Sequence, residues 1–222
     1  MRAKTIAILA LAAAIAGIAS APPTWAQKAP APVSVGRQGD GAIVDQAIVD
    51  RALAFLNGAR SMKSRFVQRD LSGGYWTGAM WVSRPGRLRF QYDPPENDVI
   101  WSTGGLINHF DAELETVSHA PRSATPAWFL LDDKVRISDD VEVLATAVQQ
   151  DRFFVTAARK ENVDDGRVTL AFQADPDRLL GWTTTGGDGQ ISQVDLIELR
   201  VGGELDDDIF DFRPPIPEYN DR

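Results

Sequence analysis

From Arg87 to Asp93 the chain alternates strictly between polar and apolar residues. Arg87, Arg89, Gln91 and Asp93 share one face of an extended strand, and Leu88, Phe90 and Tyr92 share the other. Such a strand has one wet side and one greasy side. Arg84-Pro85-Gly86, just before it, is a turn signal, so a permanently charged guanidinium stands at the border of an apolar surface. The same period of two governs the chain beyond Met62, and turn residues such as Ser72-Gly73-Gly74, Pro94-Pro95, Gly104-Gly105, Asp164-Asp165-Gly166 and Gly202-Gly203 interrupt it at roughly eight- to twelve-residue spacing. The expected strands are 64–71, 75–83, 87–93, 98–102, 106–111 and 113–118, then 141–148, 152–158, 167–173, 179–185, 191–201 and 209–213. About 11–12 short strands fit one mainly β domain with an antiparallel sheet or barrel better than two small domains.

Two segments depart from this period. Over residues 42–56, Val44, Ile48, Ala52 and Phe55 recur at helical spacing, Val49, Leu53 and Leu56 widen the stripe, and Asn57-Gly58 ends it. This predicts an amphipathic helix of about four turns, either an ordinary core-packing helix or a movable lid. In 125–131, Thr125 can cap, Pro126 suits the first helical position, and Ala127, Trp128, Phe129, Leu130 and Leu131 follow without alternation. A short, very apolar helix is expected there, plugging a barrel end or covering a ligand cavity.

Residues 1–26 read as an export signal. Arg2 and Lys4 precede an apolar run from Ile6 to Ile18, and cleavage is expected after Ala26. Residues 27–41, rich in Pro, Gly, Ala and Ser, read as a flexible leader, and 42–222 as a single domain. No later segment approaches the roughly 20 apolar residues needed to cross a bilayer as a helix. The chain has no cysteine, which leaves an exported domain to be stabilised by its core and excludes acylation on an N-terminal cysteine. The net charge of −8 argues against nucleic acid and against anionic membrane surfaces.

Catalytic chemistry has little support. There is no G-x-S-x-G, no H-E-x-x-H and no thiol nucleophile. His109 and His119 could face each other across a hairpin with Asp111 nearby, but a metal site wants three or four ligands, and none is expected. Asp206-Asp207-Asp208 lacks the spacing of a calcium loop and reads as a solvated acidic turn. No cofactor is implied.

Several pieces in order resemble the outer-membrane lipoprotein carrier family, LolA, from about Met62 to Pro215. They are Phe66-Val67-Gln68, Gly78 followed by Trp81-Val82-Ser83-Arg84-Pro85, Leu88-Arg89-Phe90-Gln91-Tyr92, Thr125-Pro126 with Leu130-Leu131, and Phe210-Asp211-Phe212-Arg213-Pro214-Pro215. Two places depart from the family pattern: Thr103-Gly104-Gly105 replaces an acidic residue and Gly-Lys, and Asn108 replaces an aromatic.

The resemblance implies an incomplete, unclosed antiparallel β-barrel covered by a helical lid. It further implies a periplasmic protein that carries acylated lipoproteins from an inner-membrane ABC exporter of the LolCDE type to an outer-membrane acceptor of the LolB type, or delivers them directly, as a monomer. In the family, an arginine before a proline at the start of a barrel strand hydrogen-bonds to lid backbone and holds the empty carrier closed; Arg84 occupies that position. The lid residues would include Val44, Ile48, Phe55, Trp128, Phe129 and Leu130. The cavity lining would include Leu88, Phe90 and Tyr92, with Trp76, Val99 and Trp101 as further candidates whose facing depends on register. Arg87 and Arg89 form a locally basic patch that is a candidate docking surface. A periplasmic lipid-sensing regulator that binds an anti-sigma factor, and a carrier of another lipid, are the alternatives.

Overall fold

The computed structural model of the chain describes residues 43–137, 141–160 and 166–215; the expected export signal and leader lie outside the described residues. Eleven strands form one antiparallel sheet. The first six are β1 (Ser61–Asp70), β2 (Tyr75–Ser83), β3 (Arg87–Tyr92), β4 (Val99–Thr103), β5 (Leu106–Asp111) and β6 (Thr116–Pro121). The rest are β7 (Val141–Gln149), β8 (Arg152–Arg159), β9 (Gly166–Gln173), β10 (Arg178–Gly186) and β11 (Ile191–Val201). Their spatial order is β6-β5-β4-β3-β2-β1-β11-β10-β9-β8-β7. The first and last strands are therefore neighbours at the middle, and β6 and β7 are the two edges of an unclosed sheet.

This order follows from the connections. Every link but one joins adjacent strands, as short turns do in antiparallel sheets. The exception runs from β6 at one edge to β7 at the other, and it carries α2 (Trp128–Leu131) across the sheet. Because that crossing covers the inner face, all four residues of α2 are buried. Irregular pairing at Lys63/Arg65, Val143/Ala145 and Leu179/Gly181 adds the local bend by which a sheet of this width curls. At Gly181 a Cβ atom would sit 2.1 Å from the carbonyl oxygen of Val194, so the bend there requires glycine.

The first helix, α1, spans Gln46–Gly58 and begins where the Asp45 side chain accepts from the Ala47 amide at 2.9 Å. It starts later than its apolar spacing predicts. Val44 precedes the cap and is 44% exposed, so it is not a lid residue. That segment runs along the β7 edge instead, where Thr146 N–H donates to the Ile43 carbonyl at 3.1 Å and partly covers an otherwise open strand.

The expected twelfth strand, 209–213, does not form. The segment is a 3-10 turn over Asp207–Phe210 followed by an irregular stretch. Its aromatic side chains stack on β3 and β4 side chains, and Pro214 and Pro215 have no N–H to offer a ladder. The sixth strand begins three residues later than its pattern suggests, because Asp111 accepts from the Glu113 and Leu114 amides and holds 111–115 as a turn. Among the described residues no helix is long and apolar enough to cross a membrane.

Candidate functional site

The inner face is built by strand alternation. Phe66 on β1, Met80 and Val82 on β2, and Leu88, Phe90 and Tyr92 on β3 point to one side, because Met80 pairs with Phe90 and Val82 with Leu88. On the far half, Phe153, Val155, Leu170, Phe172 and Trp182 continue the same apolar surface. Phe66 meets Phe90 and Tyr92 edge-on, each at 5.2 Å between centroids. The interior is thus filled by the protein's own side chains, and a long apolar guest would have to displace the helices that cover it.

Those helices close the face. From α1, Ile48, Ala52 and Leu56 are buried and Phe55 is half-buried, its ring edge-on to Phe172 at 5.8 Å. From α2, Trp128 and Leu130 are buried, and Phe129 lies edge-on against Trp182 at 5.4 Å. Leu88, Phe90 and Tyr92 lie on the floor beneath them, and Trp76 packs half-buried against the same cluster.

Val99 and Trp101 lie on the opposite, outer face. Ile100 pairs with Phe90 and takes the inner position, which turns its two neighbours outward. There they form a separate cluster with Phe110, Ala112 and Phe212. The inner positions on β4 and β5 include Ile100, Ile107 and, paired with Ile100, the buried His109.

Arg84 is 6% exposed and sits where both helices end. Its Nε donates to the Leu130 carbonyl at 3.0 Å, and its two terminal nitrogens donate to the carbonyls of Leu56 and Phe129. These carbonyls lie at the ends of α1 and α2, where helix geometry leaves acceptors without an intrahelical partner. A planar fork satisfies three of them at once from three separate nitrogens held in one rigid plane, whereas a lysine would have to bring all three to a single nitrogen. Backbone contacts reinforce the join: Arg84 N–H donates to Arg60 at 2.8 Å and Gly86 N–H to Leu131 at 2.9 Å. Burial pushes the guanidinium down to about 10, with the charge of Arg60 adding and that of Asp132 opposing, so it remains charged at neutral pH.

The inner face also carries polar groups that its alternation alone does not reveal. Gln68, 2% exposed, accepts through Oε1 from the Tyr92 hydroxyl at 2.6 Å. Burial raises the Tyr92 phenol far above its ordinary range, with the Asp98 charge adding, so the proton stays on it. The remaining amide nitrogen of Gln68, the indole nitrogen of Trp182 and the Ser192 hydroxyl are buried with no protein partner. Each such group costs about 1–3 kcal/mol. The sequence signal for Gln68 was available: it stands two residues after Phe66 and so shares the apolar face.

His109 and His119 do not face each other. His119 is exposed opposite Asn108, whereas His109 is buried and hydrogen-bonds through Nε2 to Asp98 at 2.8 Å, with Asp98 also accepting from the Ala112 amide. Asp98, not Asp111, is the carboxylate partner.

The basic patch is already occupied. Arg87 pairs with Asp207 and lies over the Phe210 ring at 5.2 Å, while Arg89 donates to the Ile209 carbonyl at 2.9 Å and lies over Phe212 at 5.2 Å. The acidic turn is solvent-exposed, as its composition predicts, and the segment that carries it is docked on β3 as a strap through Asp207, Ile209 and Phe210.

An unclosed antiparallel sheet with two helices pinned across its apolar inner face is the architecture implied by the motif order, and comparison with known proteins agrees. Residues 57–213 match the family described as "Outer membrane lipoprotein carrier protein LolA", and the chain belongs to that family. The outer-membrane lipoprotein carrier protein of Methylococcus capsulatus is 28% identical over 179 residues, covering 74% of this chain and 83% of that one. That of Chromohalobacter salexigens is 26% identical over 175 residues, covering 75% and 82%. Among solved structures, a LolA superfamily protein from Nitrosomonas europaea aligns with a TM-score of 0.40 at 12% identity, over 76% of this chain and 98% of its own.

Proposed function

We propose that this protein is a periplasmic carrier that takes up the acyl chains of lipoproteins released from the inner membrane and delivers them to an outer-membrane acceptor. The observation that carries this reading is the Arg84 guanidinium donating to carbonyls of both helices over an apolar concave face. Family membership supports it independently.

The energetics require such a device. Burying a methylene is worth about 0.8 kcal/mol, so a sixteen-carbon chain left in water costs roughly 12 kcal/mol. A carrier has to offset that cost and still let go. A closed state whose core is satisfied by its own Phe90, Phe129 and Trp182 competes with cargo, and apparent affinity falls with the fraction of molecules that are closed. Arg84 bonds only neutral carbonyls, which cost less to part from than a buried carboxylate would. An ABC exporter of the LolCDE type would load the carrier, and a LolB-type acceptor or the outer membrane itself would unload it.

Native mass spectrometry of the tagged protein recovered from periplasm, for the wild type and Arg84→Leu side by side, tests this reading. Acylated lipoproteins should be enriched on the variant, which has lost the closing bonds and holds cargo longer. An empty protein in both samples, or other lipids alone, would overturn it.

A further inference from the structure

Three hydrogen-bonding groups sit together on the inner face without a partner in the protein: the Gln68 amide nitrogen, the Trp182 indole nitrogen and the Ser192 hydroxyl. Their placement follows from register. Val194 on β11 pairs with Gln68 on one side and with Trp182 on the other, so the two flank it in one cross-strand row. Ser192 lies two residues along β11 on the same face. Strands are spaced by about 4.8 Å and residues of one face by roughly 6.7 Å, so the three side chains spring from a patch about 10 Å across.

The chemistry of these groups narrows the guest. An indole N–H can only donate. The Gln68 amide is oriented by the Tyr92 hydroxyl, which donates to its oxygen at 2.6 Å and leaves the NH2 group free. A serine hydroxyl can donate as well. The patch therefore offers donors toward an acceptor and presents no buried charge of its own. All three residues are at least 97% buried, and the surrounding side chains are apolar: Phe90 lies 6.1 Å from the Trp182 ring and Phe129 lies 5.4 Å from it.

We propose that Gln68, Trp182 and Ser192 form a polar docking spot inside the apolar half-barrel that receives the carbonyl oxygens of acyl ester or amide groups. The inference rests on the carrier reading and deepens it, since it fixes where the carbonyl end of a bound chain sits. Access to the spot is tied to the lid. Phe129 covers Trp182 with its ring while its backbone carbonyl accepts from Arg84, so releasing Arg84 frees the residue that hides the indole. In the closed protein the donors are unsatisfied; in the loaded one they are paired, so the chemistry of the guest helps pay for opening. A saturated hydrocarbon gains nothing from the spot. A free fatty acid carboxylate presents the same acceptor oxygen, so the two sources have to be separated by experiment.

The test uses the purified protein and displacement of the fluorescent apolar probe bis-ANS by three matched ligands: methyl laurate, dodecyl methyl ether and laurate. The ester and the ether have the same chain and differ in the carbonyl. The wild type should bind the ester about tenfold more tightly than the ether, and Trp182→Phe and Gln68→Leu should each bring that ratio toward one. Ser192→Ala, the smallest change, serves as the third variant should either of the others fail to fold. Methyl laurate labelled with carbon-13 at its carbonyl adds a spectroscopic reading: its stretching band should move to lower frequency in the wild type and less in Trp182→Phe. A preference for laurate over the ester, lost in the same variants, would make a free acid the occupant of the spot. Equal displacement by ester and ether in the wild type would overturn the docking spot and leave the carrier reading standing. Failure of all three ligands to displace the probe would remove both.

Discussion

The ring of Phe129 meets the indole of Trp182 edge-on at 5.4 Å, which joins the short helix of the lid to the floor of the half-barrel. Phe129 is fully buried. Phe129→Ala should therefore lower unfolding free energy by about 3–5 kcal/mol and open the inner face to apolar probes. Denaturant titration together with bis-ANS fluorescence at neutral pH measures both. A loss within experimental error, with no gain in fluorescence, would mean that α2 does not seal the interior.

The pairing of Arg65 with Asp93 gives a pH prediction. Arg65 holds the Asp93 carboxyl below the usual carboxylate range, burial opposes this and the Thr77 hydroxyl adds to it. Because the folded value is depressed, the stabilisation is complete above the unfolded value near about 4 and is lost as pH falls through the folded value. The pair is partly exposed, so it is worth about 0.5–1 kcal/mol. Asp93→Asn should cost that amount at pH 7 and almost nothing near pH 2. Asp195, whose carboxyl burial raises, acts in the opposite sense in both proteins and cancels from the difference. Parallel thermal-melt curves for wild type and variant across this range would sink the assignment.

Gly78 lies on the inner face opposite Tyr92. A Cβ there would come within 2.3 Å of the Gln91 carbonyl oxygen and 2.5 Å of the Phe66 ring. Gly78→Ala should cost about 1–3 kcal/mol by overpacking and lower Tm by roughly 2–10 °C. An unchanged Tm would show that both the β3 backbone at Gln91 and the Phe66 ring can shift aside at little cost.

The strap over β3 and β4 is anchored by Phe212, which meets Trp101 at 4.9 Å and Phe110 at 5.9 Å and lies beneath Arg89. It touches the outer face only, so Phe212→Ala should loosen the strap while costing the domain about 1 kcal/mol. Limited proteolysis should cut the variant sooner after Asp206, with little change in Tm. Cleavage at the wild-type rate would mean that the contacts of Asp207, Ile209 and Phe210 with Arg87 and Arg89 hold it without Phe212.

The parity of single strands was readable because it is local. Leu88, Phe90 and Tyr92 fall on the inner face that their alternation defines, and Trp128, Phe129 and Leu130 cluster where their unbroken apolar run places them. Val99 and Trp101 face outward, against their sequence assignment to the lining, because β4 is apolar on both sides and nothing local says which side meets the core. The alternation of Phe210 and Phe212 predicts a strand in the last segment, but the β3 and β4 strands it lies against are already paired on both sides. Its aromatics find arginines instead.

By itself the sequence determined the number and polarity of most strands, the two helical segments and the motif order of the family, because these depend on patterns a few residues long. Only the tertiary structure decided which carbonyls Arg84 reaches, that Arg87 and Arg89 are covered by the strap, and that Gln68, Trp182 and Ser192 share one buried patch. Most of those relations join residues far apart in sequence, 28 positions for Leu56 and Arg84 and 120 for Arg87 and Asp207, and they depend on sheet register and on the crossing from β6 to β7. Short-range periodicity carries no information about either.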